Sequence, residues 1–225
     1  VCSSDLMPKV KIRYVCQVCG SSQPKWQGKC PDCGEWNTLL ETAVADAPAA
    51  RPGGPIATGS GPAAPLALPD IPSDGYERIP VSIGEFSRVL GGGIVPGSVV
   101  LISGDPGIGK STLLLQLCAL LADAGNKVLY VSGEESAAQI KLRAHRLGIE
   151  NGSLFVLADT HLESISAHIE QSQAQLVVVD SVQSIYSDAI ASSAGSVTQV
   201  RDCSAHLLRL AKSLTFPLFL VGHVT

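Results

Sequence analysis

Residues 104–112 read GDPGIGKST, between the apolar run VVLIS at 99–103 and the apolar run LLLQLCALLA at 113–122. The first eight letters, residues 104–111, fit the pattern G-x-x-x-x-G-K-[ST], and the two runs supply the strand and the helix that this pattern requires. Its glycines allow backbone N–H groups to curl around phosphate oxygens at the positive end of the helix. The stretch therefore predicts a nucleotide-binding loop; a glycine-rich turn that fits the pattern by chance is the alternative.

The loop assigns an expected role to its polar side chains. Lys110 is expected to reach the β- and γ-phosphates as a catalytic cation, and the Ser111 hydroxyl is expected to bind Mg²⁺. The predicted nucleotide-binding residues are Gly104, Asp105, Pro106, Gly107, Ile108, Gly109, Lys110, Ser111 and Thr112.

Four more apolar runs follow the loop: KVLYVS, LFVLAD, LVVVD and LFLVG. None of them alternates polar with apolar residues, which is typical of strands buried on both faces of a parallel sheet. Helical stretches separate the runs, and three of these stretches begin with a capping-box pattern, at Ser136–Gln139, Thr160–Glu163 and Ser196–Gln199. The alternation predicts an α/β fold, a doubly wound domain with a mainly parallel sheet.

Carboxylates follow two of the predicted strands. Asp180 is the last residue of LVVVD. A buried carboxylate is unfavourable unless it binds a cation, so we predict that Asp180 binds magnesium. The alternative is that Asp180 caps the next turn. Glu134 and Glu135 follow KVLYVS beside the phosphate loop. We expect Glu134 to be the catalytic acid that acts on water, with Glu135 in support; a solvated pair of loop carboxylates is the alternative.

The five histidines lack the spacing of metal ligands. His223 follows the last predicted strand, at the edge of the sheet where ligands bind, and is a candidate γ-phosphate sensor. An ordinary strand-end histidine fits the pattern equally well. Cys118 and Cys203 lie in apolar helical patterns, which predicts core positions.

Two C-x-x-C-G units lie within residues 16–34, CQVCGSSQPKWQGKCPDCG. Thiolates at this spacing can converge tetrahedrally on one Zn²⁺, and the glycine after each pair permits a tight turn. A pair of disulfides is the alternative. The module is too small to fold on its own core, so zinc would supply its folding free energy. The predicted zinc ligands are Cys16, Cys19, Cys30 and Cys33.

Basic and aromatic residues lie between and after the two cysteine pairs. Lys25, Trp26 and Lys29 lie between them, and Trp36 follows. Such side chains together can bind a nucleic-acid backbone and stack on bases, so the first three are candidate DNA contacts. Packing of the small module is the alternative.

Composition divides the chain of 225 residues into four segments. Residues 1–6 precede the only Met and are expected to be a non-native leader, and residues 7–42 hold the zinc finger. Residues 43–75 contain seven prolines and nine alanines but few large apolar residues. Such a segment cannot bury enough apolar surface to fold, so we predict that it is a linker. Residues 76–225 are globular, and we expect this domain to be truncated at its C-terminus.

Bulk properties narrow the class of protein. The net charge of −4 means that the chain as a whole does not attract nucleic acid, so contacts with nucleic acid need local basic patches. No apolar run reaches the ~18 residues of a membrane-spanning helix, and no signal peptide opens the chain. With cysteines spaced for metal, these features indicate a cytoplasmic protein without membrane contact.

The motifs together resemble the RadA/Sms family of bacterial DNA recombination and repair ATPases, which have a RecA-like core and an N-terminal C4 zinc finger. The resemblance rests on RYVCQVCG, PKWQGKCPDCGEWN, RVLGGGIVPGSVVLISGDPGIGKST, YVSGEES and VVVDSVQS, and it covers about residues 9–42 and 76–225. It implies a DNA-dependent ATPase that binds single-stranded and branched DNA and promotes branch migration. It also implies a homo-hexamer and a recombinase as a candidate partner.

The resemblance maps onto individual residues. It assigns the magnesium position to Asp180 and the catalytic carboxylate to Glu134. Residues 186–201 fall where RecA-like proteins place their first DNA-facing loop, and Arg201 is expected to meet a phosphate there. Ser87 departs from the family's usual Asp. The family's Lys-Asn-Arg-Phe-Gly motif and Lon-type protease-like domain do not occur in these residues, so we expect poor hydrolysis and weak assembly.

Three other functions remain open. One is a nucleotide-switched zinc-finger adaptor without motor activity. Another is a different RecA-like helicase-type or circadian-clock ATPase, although those proteins lack this zinc finger. A small-molecule kinase would need an arginine-rich lid, whereas the arginines sit on predicted helices or loop edges: Arg143, Arg146, Arg201 and Arg209.

Overall fold

A computed structural model describes residues 10–45, 65–71 and 77–223 of the chain. Residues 1–6, which we expect to be a leader, lie outside the described residues, as does most of the 43–75 segment that composition assigns to the linker.

The N-terminal module is a three-stranded antiparallel sheet. Its strands are β1 (Val10–Cys16), β2 (Ser22–Gln23) and β3 (Leu39–Ala45). β1 lies in the middle and pairs along its whole length with β3, from Val10 opposite Ala45 to Cys16 opposite Leu39. Only Cys16, Cys30 and Leu39 form its buried cluster among the described residues, with Tyr14 and Cys19 packed against them. The module therefore has almost no apolar core.

The second domain is built on a five-stranded sheet whose neighbouring strands all run parallel. The strands are β4 (Val99–Gly104), β5 (Val128–Ser132), β6 (Leu154–Ala158), β7 (Leu176–Asp180) and β8 (Leu218–His223). The helices are α1 (Gly84–Val89), α2 (Lys110–Asp123), α3 (Ala137–Arg146), α4 (Leu162–Ser172) and α5 (Val197–Leu214). The strand order β4-β8-β7-β5-β6 confirms the predicted α/β fold.

Two aliphatic clusters cover the two faces of the sheet. One joins side chains of α2 and α3 to one face, and the other joins side chains of α4 and α5 to the opposite face. All residues of β5 and β7 are buried, as their continuous apolar runs predict. The same expectation is wrong for β4 and β6, which lie at the two edges. There Leu101 is 63% exposed and Phe155 is 44% exposed, because an edge strand has a neighbour on one side only.

Helix starts follow the capping patterns in two places and differ in a third. Ser136 and Gln139 form the complete capping box of α3, and the Ser196 hydroxyl accepts the backbone N–H of Gln199 at the start of α5. The prediction at Thr160 is wrong, because α4 has His161 at its N-cap position and no side-chain cap. The Thr160 carbonyl instead accepts the N–H of Tyr186, which holds this residue in an extended pairing.

The zinc-finger module contacts the α/β domain directly. The Gln17 side chain accepts hydrogen bonds from Ser193, and Gly20 packs on Thr198 near the start of α5. Within the described ranges, no helix is both long and apolar enough to cross a membrane.

Candidate functional site

The predicted phosphate loop connects the end of β4 to the start of α2. Gly107 and Gly109 have φ values of +80° and +102°, a region that favours glycine, and α2 begins directly afterwards at Lys110. Lys110 is buried, and its Nζ donates to the backbone oxygens of Gly104 at 2.7 Å and Asp105 at 2.9 Å. The ammonium therefore lies folded over its own loop.

Strand register aligns the predicted site residues along one edge of the sheet. Gly104 at the end of β4 is paired with His223 at the end of β8, and Ser132 at the end of β5 is paired with Asp180 at the end of β7. The four strands lie side by side in the order β4-β8-β7-β5. Their carboxyl ends therefore bring together the phosphate loop, His223, Asp180 and the segment that carries Glu134.

Asp180 is buried at the end of its strand and has a buried partner. The Tyr130 hydroxyl of β5 donates a short hydrogen bond to Asp180 Oδ2. Burial raises the pKa of Tyr130, and the neighbouring Asp180 carboxylate raises it further, so the phenol stays protonated and acts as the donor. This bond orients the carboxylate at the position predicted for magnesium.

Glu134 forms a hydrogen-bonded group with one residue that follows β7 and one residue at the end of β8. Ser181 donates its hydroxyl to Glu134 Oε1, and His223 Nε2 lies 3.2 Å from the same oxygen. The Ser181 hydrogen bond lowers the pKa of Glu134, partial burial opposes this effect, and His223 and the Lys110 ammonium lower the pKa further. Glu134 is therefore ionised at neutral pH, as a group that accepts a proton from water must be.

Glu135 points away from this group. Its carboxylate pairs with Arg143 of α3 at 3.0 Å, and its backbone N–H donates to the Ser132 hydroxyl. In this geometry Glu135 holds the segment after β5 on α3, and its supporting role in catalysis stays a prediction.

Three residues of the site were missed in the sequence. Tyr130 could have been found, because a buried tyrosine hydroxyl needs a polar partner and its strand is otherwise apolar. Ser181 directly follows Asp180 but carries no pattern that indicates its bond to Glu134. Gln183, whose amide donates to the His223 carbonyl at 3.3 Å, is found only from the fold.

The four cysteines of the N-terminal module meet in one cluster. Their sulfur atoms all lie within 4.8 Å of one another, with Cys16–Cys33 and Cys19–Cys30 sulfur separations of 3.6 Å each. Tetrahedral zinc with Zn–S bonds of about 2.3 Å sets neighbouring sulfurs about 3.8 Å apart, whereas a disulfide needs about 2.05 Å. The cluster fits zinc, and all four cysteines are free thiols.

The two turns that carry these thiols have the same geometry. Gly20 donates its N–H to the Cys16 carbonyl and Gly34 donates to the Cys30 carbonyl, both at 2.9 Å, with φ of +73° and +77°. The Cys16 thiol donates to the Thr38 hydroxyl at 3.2 Å. Burial opposes ionisation of Cys16, but hydrogen bonding with Thr38 and with the nearby backbone outweighs burial and lowers the pKa to about 6. Burial raises the pKa of Cys19 to about 12, so the four thiols do not ionise alike before a metal binds.

The candidate DNA contacts of this module lie on its surface. Trp26 is 56% exposed and Trp36 is 67% exposed, and neither belongs to the buried cluster, which contradicts the alternative that they pack the module. The Lys29 ammonium lies 5.6 Å from the centroid of the Trp36 ring. Lys25 is also exposed.

The remaining predicted positions are more ordinary. Arg201 is exposed on α5 and pairs with Asp202 at 3.0 Å, so a phosphate would have to compete with that carboxylate. Cys118 and Cys203 are fully buried and burial raises the pKa of both thiols, which confirms that they belong to the core.

Two protein families match parts of the chain. The AAA domain matches residues 65–225, and the rubredoxin metal binding domain matches residues 14–41. The first range contains the sheet and its phosphate loop, and the second contains all four clustered cysteines. These matches confirm the predicted cofactors, ATP with Mg²⁺ in the large domain and Zn²⁺ in the small one.

Curated relatives match nearly the whole chain. The DNA repair protein RadA of Bacillus subtilis (strain 168) is 51% identical over 219 residues, which covers 97% of this chain and 48% of the relative. The RadA proteins of Halalkalibacterium halodurans and Listeria monocytogenes serovar 1/2a are 48% and 46% identical, with the same shares of 97% and 48%. The chain therefore spans about half the length of the curated relatives it matches.

A solved structure with a similar fold is a KaiC-like protein from Pyrococcus horikoshii OT3. Its TM-score is 0.56 at 20% identity, over 66% of this chain and 73% of that chain. At this identity the likeness shows a shared RecA-like fold alone. With the AAA domain, the four-cysteine ribbon and the RadA relatives, this chain belongs to the RadA/Sms family.

Proposed function

We propose that this chain hydrolyses ATP in DNA repair and that single-stranded DNA stimulates the hydrolysis. The observation that carries the proposal is the meeting of the phosphate loop, Asp180 and ionised Glu134 at one edge of the sheet. Phosphoryl transfer needs a cation on the phosphates, a carboxylate for magnesium and a group that positions water. The relatives' shared description as DNA repair proteins supports the biological setting.

Lys110 would stabilise the transferring phosphoryl group. In the structure its ammonium is satisfied by the carbonyls of Gly104 and Asp105, which are neutral acceptors. Phosphate oxygens carry full charge and make stronger hydrogen bonds, so the ammonium would exchange to them when nucleotide binds. Backbone N–H groups from Gly107 to Thr112 would hold the β-phosphate.

Ser111 and Asp180 would hold Mg²⁺, which when bound neutralises charge on the phosphates. Tyr130 occupies Asp180 Oδ2, so the carboxylate is already oriented before a metal arrives. A preoriented ligand loses less conformational entropy on binding. Tyr130 is therefore a positioning residue of the magnesium site.

Glu134 would orient the attacking water and accept its proton. Ser181 fixes the carboxylate, and His223 joins it to the end of β8, next to Gly104 in the register. A γ-phosphate beside Gly104 would thus lie within reach of His223, and its charge would alter the contact between His223 and Glu134. This is how His223 would act as a sensor.

DNA contact is assigned to the exposed face of the zinc finger. Lys25 and Lys29 would neutralise backbone phosphates, and Trp26 would stack on a base, which contributes about 1–3 kcal/mol. Arg201 would add a phosphate contact from α5. In the longer protein these contacts would support branch migration on branched DNA. That protein would be a cytoplasmic homo-hexamer, and a recombinase would be its partner.

The test is steady-state ATP hydrolysis with and without single-stranded DNA, at low and high salt. It is run on this chain and on one extended past Thr225 to the length of the relatives. We expect DNA to stimulate the extended chain, more strongly at low salt because phosphate neutralisation releases counterions. Glu134→Gln should abolish turnover while ATP still binds, and Trp26→Ala should weaken the DNA effect alone.

The opposite results point to another function. Tight ATP binding without turnover in both chains would contradict the proposal and favour the nucleotide-switched adaptor. Stimulation by a small-molecule acceptor instead of DNA would favour a kinase, although Arg143 is already paired with Glu135 and is no free lid residue.

A further inference from the structure

The first zinc-binding turn, residues 16–20, touches the loop that precedes α5. Gln17 Oε1 accepts two hydrogen bonds from Ser193, from its backbone N–H at 3.4 Å and from its hydroxyl at 3.0 Å. Gly20 lies so close to Thr198 that a Cβ on the glycine would be 1.9 Å from Thr198 Oγ1. These two contacts fix both the position and the orientation of the turn on the α/β domain.

Zinc ligation determines the shape of this turn. Cys16 and Cys19 flank Gln17, and the Gly20 N–H closes the turn on the Cys16 carbonyl at 2.9 Å with a φ of +73°. The module's buried cluster is too small to maintain this conformation, so the metal must do so. Gln17 and Gly20 present their contact surface only while the ligands are held together.

The loop on the other side is held together by Gln199, which is 2% exposed. Its amide accepts the N–H of Ser187 and donates to the carbonyls of Ser187, Ile190 and Ser192 at 2.9–3.2 Å. Gln199 therefore joins the loop to the start of α5.

Thr198 faces the zinc-binding turn with a buried hydroxyl that has no hydrogen-bond partner among the described residues. Leaving a buried hydroxyl unpaired is unfavourable, and a glycine Cα–H is a weak donor that reduces this cost. Only glycine allows the backbone to approach so closely, which makes Gly20 part of the contact as well as of the turn.

We propose that the turn at residues 16–20 is a zinc-dependent clamp on the 187–198 loop of the same chain. Zinc occupancy then sets the conformation of a loop that begins seven residues after Asp180. Because coupling between two sites is reciprocal, a loop held in place also raises the affinity of the cysteines for zinc. Any partner that binds the covered face of the loop must first displace the clamp. The clamp requires neither ATP hydrolysis nor DNA.

Amide hydrogen exchange read by mass spectrometry tests the clamp, with zinc content measured in parallel. Ser193→Ala removes one hydrogen bond from the side of the α/β domain and leaves the four cysteines unchanged. We expect exchange in the peptide covering residues 16–20 to accelerate about fivefold, as the loss of one hydrogen bond predicts. Gln17→Ala should accelerate exchange in residues 187–198 by a similar factor, with zinc still bound. Zinc removal should give a larger acceleration there and none in β7.

Gln27→Ala is the matched control, because it deletes the same amide in the same module at an exposed position that has no hydrogen bond to any residue that the structure describes. It should change neither peptide. The double variant Gln17→Ala/Ser193→Ala should match Gln17→Ala alone, because Gln17→Ala already removes both hydrogen bonds to Ser193. Unchanged exchange in residues 187–198 after zinc removal, or additive effects in the double variant, would overturn the proposal.

Discussion

The zinc finger and the α/β domain obtain their stability from different sources. The finger buries little beyond Cys16, Cys30 and Leu39, whereas the α/β domain packs aliphatic side chains on both faces of its sheet. One fold therefore depends on a metal and the other on apolar burial. The two can therefore be perturbed separately, and an effect can pass between them through the contact at Gln17 and Gly20.

The largest expected effect follows the substitution Cys30→Ser. Zinc is released and residues 16–39 unfold, because metal binding contributes about 10–16 kcal/mol in isolated modules of this kind. Both tryptophans of the chain lie in the finger and all α-helices of the described residues lie in the α/β domain, so fluorescence reports one and circular dichroism the other. We expect the fluorescence transition to disappear and the dichroism transition to stay cooperative. A joint collapse of both signals would contradict the separation.

Lys110→Ala should lower ATP hydrolysis by at least about a hundredfold while both folding signals stay unchanged. The lost cation stabilises the transferring phosphoryl group, and nothing in the zinc finger depends on it. Lys127→Ala is the control, because this lysine lies over Phe155 instead of at the phosphate loop. Near-normal turnover in Lys110→Ala would contradict the proposal that this loop is part of the ATPase site.

Leu117→Ala should destabilise the α/β domain by about 2–5 kcal/mol through lost burial and a cavity. The side chain is fully buried in α2. Thermal unfolding followed by circular dichroism should show the loss, while zinc content is unchanged. Leu120→Ala on the same helix removes a side chain that is 41% exposed and should cost much less. Equal losses for the two leucines would show that α2 does not pack as described.

Tyr130→Phe should weaken magnesium-dependent nucleotide binding by at least about tenfold, since a hydrogen bond to a charged group contributes about 1.5–3 kcal/mol. The ring stays buried, so the fold is retained and only the orientation of Asp180 changes. A magnesium titration of nucleotide binding measures the effect. Tyr186→Phe, whose ring packs edge-on against His161, is the control. An unchanged magnesium titration would contradict the positioning role.

The smallest effect is expected for Ser181→Ala. The Ser181 hydroxyl stabilises ionised Glu134, so its removal raises the pKa of that carboxylate. If hydrolysis requires ionised Glu134, the variant should therefore lose activity at a higher pH than the unsubstituted chain when the solution is acidified. The acid limb of the pH–rate profile should move to higher pH, with the plateau retained. If the acid limb stays in place or moves to lower pH, the proposed role of Glu134 in catalysis is contradicted.

Local patterns in the sequence predicted much of this molecule. The phosphate loop, the buried strands β5 and β7 and the complete cap at Ser136 each depend on residues close in the chain. The meeting of four cysteines also follows from spacing alone. The convergence of Asp180 and Glu134 followed from one general rule, that parallel strands end at the same edge.

Features that depend on distant pairing could not be predicted. Thr160 fails as a cap because it pairs with Tyr186, and Glu135 leaves the site because Arg143 faces it from α3. The docking of Gln17 on Ser193 joins positions 176 residues apart. No pattern within either segment indicates such a contact, because each surface is polar and ordinary on its own.

The two outer strands of the sheet have a practical consequence for handling this chain. β4 presents Leu101 and β6 presents Phe155 and Val156 to solvent, each beside backbone groups that no strand within the described ranges pairs. Such borders are templates for strand addition by another molecule. Concentrated solutions should therefore self-associate into β-rich aggregates, and a lysine at position 101 should raise the solubility limit.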